Sequence, residues 1–598
     1  VTTPTTLNEL FFDAMDRFRD RAVLLRARRE GVWTDISGRE VADCVWAFSL
    51  GLLELDLQPG DRVGIISENR PEWAYADYGT LAARGIDVPI YPSLPAGQIE
   101  FMLRDAGVSI LCVSNAAQLE KVRSIRANLP GLRHVVVFDD GLDAPDAMSI
   151  RKLMHLGREE AVHWPGWRDE AMRVRPEDVA TIIYTSGTTG DPKGVMLTHA
   201  NLTSNTVSSV QALGVHERDE CLSFLPLSHI FERMAGHYVM LHAGTLINYC
   251  PGVEAVAADL IQRSPTVLTA VPRLYEKIHE RLLDVVKEGG PAKVRVFDWA
   301  RRTAMQWAEE RLNDRPVPAG LSFRYWIADR LVFSKLRSRV GGRLRCSVSG
   351  GAPLNPEIAR FFFAAGIPLL EGYGLTETSP VISVNTFDAL RIGSVGRPLP
   401  GVEVRIAEDG EILARGPNVM KGYYNRPDAT AEALSPDGWF RTGDIGRVDA
   451  DGYLFITDRK KDLIVTAGGK NIAPQPIEGR LKANPFIANA VMLGDKRKYP
   501  ILLLVPNFAK LRAWARSQGI SAPDDAALVA LPAVQDKMEQ EAKKHLRDLA
   551  QFEVPKKFLL LPRDFTIEAG ELTPKMSVKR KVVEQRYRAE IEALFMDS

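Results

Sequence analysis

Hydrophobic and polar positions change period in a regular way along the chain. From residue 62 onward, short β-branched runs alternate with stretches of helical period: "RVGII", "RPEWAYADYGTLAARG", "DVPIY", "PAGQIEFMLRDAG", "SILCVS", "AAQLEKVRSIRANLP" and "HVVVF". Strands that alternate with amphipathic helices predict a doubly wound parallel sheet. A second series opens at "VATIIY" (residues 179–184) and runs through "ECLSFLP", "TLINYC", "TVLTAVP" and "LRCSVS". The expected fold class is α/β, with two doubly wound sheets packed into one large N-terminal body over residues 1–458.

Between residues 273 and 345 the period is helical throughout, as in "RLYEKIHERLLDVVKE" and "FRYWIADRLVFSKLRSRV". Aromatics mixed with Arg and Lys fit a membrane-surface helix, but solvated helices over a core are the preferred reading. After Gly393 the texture turns to Gly, Pro and short alternating strands, "GSVGRPLPGVEVRIAEDGEILARG", which predicts a β-rich subdomain at about residues 393–458. The charged segment "DRKKD" (458–462) then reads as a linker into a smaller α+β domain, residues 459–598.

Bulk properties narrow the classes. With 598 residues the chain exceeds a single core, and Lys+Arg and Asp+Glu are both 76, so no net charge draws it to nucleic acid or anionic membrane. The longest apolar runs, such as "ILLLV" (501–505), fall far short of a membrane-spanning helix. The first twenty residues show no basic region followed by an apolar one, so no secretory signal is expected. Five cysteines without metal-ligand spacing fit buried, reduced thiols and a cytoplasmic location. Peripheral membrane contact and oligomeric state stay open.

The segment "TIIYTSGTTGDPKG" runs an apolar strand into a loop of small residues. Glycines let backbone approach an anion closely, and successive N–H groups form a nest for it. Hydroxyls add donors and Lys193 adds a point charge, so a polyphosphate is the expected ligand. The lysine precedes Gly194, which disfavours a Walker-type loop.

The segment "YTSGTTGDPKGV" resembles the signature of the adenylate-forming superfamily of acyl-CoA synthetases, adenylation domains and luciferases. Five further motifs follow in that family's order: "PLSHIFER" (226–233), "SGGAPL" (349–354), "EGYGLTET" (371–378), "GWFRTGDIG" (438–446) and "DRKKDLIVTAGGKNIAPQPIE" (458–478). The resemblance implies that Thr185, Ser186, Gly187, Thr188, Thr189, Gly190 and Lys193 cradle the phosphates of ATP. It gives Mg²⁺ to Glu377, with Thr185 as a second contact. It lays adenine against Gly351, Ala352, Glu371, Gly372, Tyr373, Gly374 and Thr376, and ribose against Asp444, with Arg459 at the ribose or the phosphate. His229 falls near the acyl carboxylate. Ser228 beside it is not read as a hydrolase nucleophile, because adjacent residues in a strand face opposite ways.

The family also implies a C-terminal domain that rotates between two poses about a hinge, here Lys461, with Asp458, Lys460 and Asp462 suiting an exposed pivot. In the second pose Gly468 and Gly469 would let a pantetheine arm pass close to the backbone. The family's C-terminal lysine position is Ser577 in "ELTPKMSVKRK", a departure from the pattern. Extended backbone would put Lys575, Ser577 and Lys579 on one face, so Lys575 and Lys579 are candidates to replace it, while Arg580 faces away. "GGKNIAPQPIE" and the long helical insertion most resemble bacterial long-chain fatty acyl-CoA synthetases. The implied activity is ATP-dependent activation of a long-chain fatty acid and its transfer to coenzyme A. Two alternatives are a fatty acyl-AMP ligase serving an acyl carrier protein, and a non-catalytic adenylate-binding regulator.

Overall fold

The structure, a computed structural model, describes residues 3–142, 144–185, 192–252, 254–467, 470–547, 549–566, 569–572 and 578–596. Two compact units emerge: Val1–Arg405 with Leu413–Arg441, and Ile406–Ile412 with Thr442–Ser598.

The larger unit is built on two mixed sheets. In the eight-stranded sheet the strands Arg62–Ile66, Ile86–Ile90, Val108–Val113, His134–Val137 and Val179–Thr185 run parallel. Lys193–Thr198 and Gly422–Tyr423 extend it antiparallel. The nine-stranded sheet keeps a parallel centre that includes Glu220–Ser223, Leu246–Tyr249, Val267–Ala270 and Cys346–Ser349, and it ends in antiparallel strands at both edges. The parallel sheets read from periodicity are therefore the centres only; the short hairpin after Thr185 forces the antiparallel return.

One strand changes sheets relative to the sequence reading. Val179–Thr185 opens no second sheet but pairs with Ile86–Ile90 in the first, with Thr181 opposite Asp87. The buried Thr181 hydroxyl donates to the Asp87 carboxylate at 2.7 Å and fixes that neighbour. Apolar periodicity carries no such partner information.

The helix Pro71–Ala82 is buried over its whole circumference, and the core around it draws on both sheets, from Val63 and Ile65 to Ile247 and Leu370. A helix enclosed on all sides is what two sheets packed over a shared layer require. Outer helices cover the other faces. Ala96–Ala106 and Ala116–Ile125 lie on the eight-stranded sheet. Pro272–Glu288, Gly290–Leu312 and Pro356–Ala364 lie on the nine-stranded one. The helical tract is thus seated on a core. Among the described residues no helix is long and apolar enough to cross a membrane.

The smaller unit holds the strand Phe440–Val448 from Thr442 on, its hairpin partner Leu454–Arg459, and the three-stranded sheet Ile487–Leu493, Ile501–Pro506 and Lys557–Leu560. Helices Pro474–Lys482, Phe508–Ser517 and Pro532–Lys544 pack on that sheet, an α+β arrangement.

Candidate active site

The phosphate-loop candidate sits in the hairpin between Val179–Thr185 and Lys193–Thr198. Thr185 pairs with Lys193 across it, and the Thr185 hydroxyl donates to the Lys193 carbonyl at 3.4 Å. Ser186, Gly187, Thr188, Thr189 and Gly190 lie outside the described residues.

Tyr423 lies opposite Val195, two residues from Lys193 on the same strand face. Its ring therefore carries the Lys193 ammonium, with Nζ 5.0 Å from the centroid. Its hydroxyl donates to Glu377 Oε1 at 2.9 Å. Burial, and then the Glu377 carboxylate, raise the phenol well above its usual range, so it stays a donor at neutral pH. Glu377 itself stands on the short turn Thr376–Thr378, and Met420 N–H donates to its carbonyl at 2.8 Å. One tyrosine thus ties the candidate phosphate lysine to the candidate metal carboxylate. Sequence reasoning missed it: "KGYYN" shows an aromatic pair, but nothing local says its hydroxyl meets a residue 46 positions away.

The two glycine-rich loops meet through Glu371. Its buried carboxylate accepts from Leu354 N–H at 3.0 Å, which anchors the 349–354 loop beside the strand Leu369–Gly374. Burial pushes that carboxyl up to about 8. Gly351 takes a left-handed φ of 79° and Ala352 beside it is exposed. Gly372, Tyr373 and Gly374 pair with the strand Val381–Val384, and Thr376 is buried in the turn that follows. At Gly374 a Cβ would stand 1.7 Å from the Pro380 carbonyl oxygen, so no other residue fits that turn.

His229 is not in a strand. Residues 226–230 form a turn, with His229 N–H donating to the Pro226 carbonyl at 2.9 Å. His229 Nδ1 accepts from Phe231 N–H at 3.0 Å, and the imidazole lies 6.5 Å from the Tyr91 ring. Strand alternation is therefore not what separates Ser228 from His229; the buried Ser228 hydroxyl has no hydrogen-bond partner among the described residues. Phe231 in turn presses on Gly350, where a Cβ would stand 2.9 Å from its ring.

The last residue of "PLSHIFER" is structural. Arg233 is fully buried and donates to Asp77, Asp87, Thr181 and the Tyr238 hydroxyl. Burial drives Asp87 well above the usual carboxylate range, and the neighbouring Asp77 charge adds to it. Against the same cost of burial, Arg233 and the hydrogen bonds from it and Tyr238 hold Asp77 below its ordinary value. One fully buried guanidinium thus bridges the two carboxyls. Sequence could not pair residues more than 140 positions apart.

In the smaller unit Asp444 and Arg459 face each other across the hairpin, with Nε 3.7 Å from Oδ1. Lys460 is held by Asp409 at 2.6 Å and by Glu411 at 2.8 Å, and Lys461 is exposed in the turn after the strand. Asp458 corrects the expectation of an all-exposed pivot. It alternates to the inner face of Leu454–Arg459 and is buried, accepts from Gln475 N–H, and is pushed up to about 7 by that burial. Lys579 caps the helix Arg580–Arg586, so the extended backbone assumed for the 575–579 segment has ended there. Arg580 turns inward to Glu478 at 2.7 Å. Lys575, Ser577, Gly468 and Gly469 lie outside the described residues.

Comparison with known proteins adds to this geometry. Residues 11–424 match the AMP-binding enzyme family, and residues 461–598 match the AMP-binding enzyme C-terminal domain. The chain belongs to the AMP-binding enzymes. Among curated members, the long-chain-fatty-acid–CoA ligase FadD15 of Mycobacterium bovis is 38% identical over 95% of this chain and 93% of its own length. The long-chain-fatty-acid–CoA ligase ACSBG2 of Xenopus laevis is 30% identical over 100% of this chain and 84% of its own. Among solved structures, the anthranilate CoA ligase AuaEII in complex with anthranoyl-AMP superposes with a TM-score of 0.72 at 19% identity, covering 99% of both chains. That likeness speaks for the fold.

Proposed function

We propose that this AMP-binding enzyme activates a long-chain fatty acid with ATP, releasing pyrophosphate, and then passes the acyl group from the acyl-adenylate to coenzyme A. The observation that carries the reading is the Lys193–Tyr423–Glu377 cluster at the mouth of the hairpin, in a chain whose relatives with near-complete coverage are named long-chain fatty acid ligases. A carboxylate is a poor acyl donor, because its leaving group would be oxide; adenylation replaces that with AMP. Bringing anions together at phosphorus demands cations and N–H donors aimed at the developing charge.

In this reading Lys193 and the hairpin loop from Thr185 to Gly190 bind the phosphates. Glu377 and Thr185 would hold Mg²⁺: both offer oxygen, and Tyr423 engages one Glu377 oxygen while leaving the other for a cation. When bound, the ion neutralises phosphate charge. Gly351, Ala352, Gly372, Tyr373, Gly374 and Thr376 form the adenine wall, which Glu371 supports from behind. Asp444 and Arg459 take the ribose, His229 orients the acyl carboxylate, and Lys461 is the hinge of a mobile domain over about residues 459–598. Gly468 and Gly469 line the pantetheine path, and Lys575 or Lys579 supplies the charge missing at Ser577.

A pyrophosphate-release panel over fatty acids of graded length, run with and without coenzyme A, tests this. Release should require a long-chain acid, and coenzyme A should yield acyl-CoA and AMP. Absence of acid-dependent release, or release with no thioester formed, refutes the proposal.

A further inference from the structure

The helical tract over the nine-stranded sheet has a buried side and an outer side; the outer side is charged over its long helices but carries a local apolar cluster on the helix Ala319–Ala328 and the turn after it. On the helix Ala319–Ala328, Leu321 and Ala328 face the core, and Tyr325 stacks on Trp307 at 4.2 Å and donates its hydroxyl to the Ala364 carbonyl. The opposite face carries Phe323 and Trp326, exposed by 63% and 56%, with their rings stacked at 6.2 Å. Arg330, one turn on, lies 5.8 Å over the Trp326 ring, and Leu331 beside it is 49% exposed. Single exposed apolar residues are ordinary; an aromatic pair continued by a leucine is a patch that calls for a partner.

Charge points to the kind of partner. Residues 319–345 hold seven Lys or Arg and a single Asp, in a chain whose net charge is zero. Asp329 is taken by Arg337, and Arg343 and Arg345 reach Glu220 and Asp219. Among the described residues no carboxylate lies within 4.0 Å of Arg324, Arg330, Lys335 or Arg339. Local positive charge around Trp and Phe on one helix face is complementary to an anionic lipid surface: aromatic rings seat at the headgroup boundary and basic side chains meet the phosphates.

We propose that the Phe323–Trp326–Leu331 face docks the enzyme on anionic membrane, with Arg324, Arg330, Lys335 and Arg339 reading the headgroup charge. The geometry is that of a shallow, reversible contact by one exposed helix face; among the described residues no helix is long and apolar enough to cross the bilayer. The inference does not depend on the assignment of the reaction.

Sedimentation of the full chain with phosphatidylcholine vesicles, with and without one third phosphatidylglycerol, is the test. The wild type should partition onto the anionic vesicles and far less onto the neutral ones. Phe323→Ser with Trp326→Ser should lower the partition coefficient about tenfold. Arg324→Gln with Arg330→Gln should lower it roughly thirtyfold, about fivefold per charge. Brominated lipid should quench part of the tryptophan emission, and Trp326→Phe should abolish that part. All these positions are exposed, so the thermal unfolding midpoint measured without vesicles should be unchanged, which reports an intact fold. No anionic partition, or partition that both double variants retain, overturns the proposal. So does binding to soluble polyglutamate in place of vesicles, which would assign the face to an acidic polypeptide.

Discussion

Replacing Tyr423 by phenylalanine separates the two contacts that this residue makes. The variant keeps the ring under Lys193, 5.0 Å from Nζ, and deletes only the hydroxyl that donates to Glu377 at 2.9 Å. A hydrogen bond to a charged acceptor contributes about 1.5–3 kcal/mol. If the bond holds Glu377 in its metal-binding pose during adenylyl transfer, its loss lowers kcat/KM for ATP by roughly ten- to a hundredfold. Tyr423→Leu also removes the ring beneath the ammonium, a contact worth about 0.5–1 kcal/mol, and should lose roughly a further two- to fivefold. Initial rates of acid-dependent pyrophosphate release over a matrix of ATP and Mg²⁺ concentrations measure both. The phenylalanine variant should in addition require more Mg²⁺ for half-maximal rate, whereas a purely structural defect would scale all rates alike. Wild-type kcat/KM and Mg²⁺ dependence in Tyr423→Phe would refute the reasoning.

Arg233→Met strands the Asp77 carboxylate in a fully buried network and should destabilise the larger unit by about 3–5 kcal/mol, read as a thermal midpoint lowered by several degrees. An unchanged midpoint would mean the network is not buried in solution. Gly374→Ala places a methyl 1.7 Å from the Pro380 carbonyl oxygen, so it should displace the Glu371–Thr378 segment and abolish pyrophosphate release; retained activity contradicts the turn described. His237 is buried and its imidazole is pushed down to about 4 from 6.5, so the unfolded chain binds the extra proton between those values. Its contribution is therefore complete above pH 6.5 and is lost as pH falls toward 4, about 3 kcal/mol in all. His237→Phe should flatten that acid limb in pH-dependent unfolding, while the lost Tyr249 contact adds a cost independent of pH.

What could be read from the linear chain was what repeats locally or is spelled in short words. Alternating strand and helix periods predict the α/β layers, and six motifs in order point to the adenylate-forming family. Gly374 read from sequence as backbone lying against adenine; that a Cβ there would meet the Pro380 carbonyl oxygen is a fact of the folded chain. Long-range pairing was decided only by the fold. Periodicity placed Val179–Thr185 in the wrong sheet, because it carries no information on the strand partner, here Ile86–Ile90 with Thr181 bonded to Asp87. Arg233 read as part of a motif, yet its partners come from a helix and two strands far off in sequence. Tyr423 was passed over because its role exists only where the strand Gly422–Tyr423 lies beside Lys193–Thr198. Asp458 looked solvated among charges until strand alternation turned it inward. Local propensity and spacing act through neighbours within a few residues, whereas a buried polar group is satisfied by whatever the packed chain brings to it; the first is written in sequence, and the second is settled by three-dimensional packing.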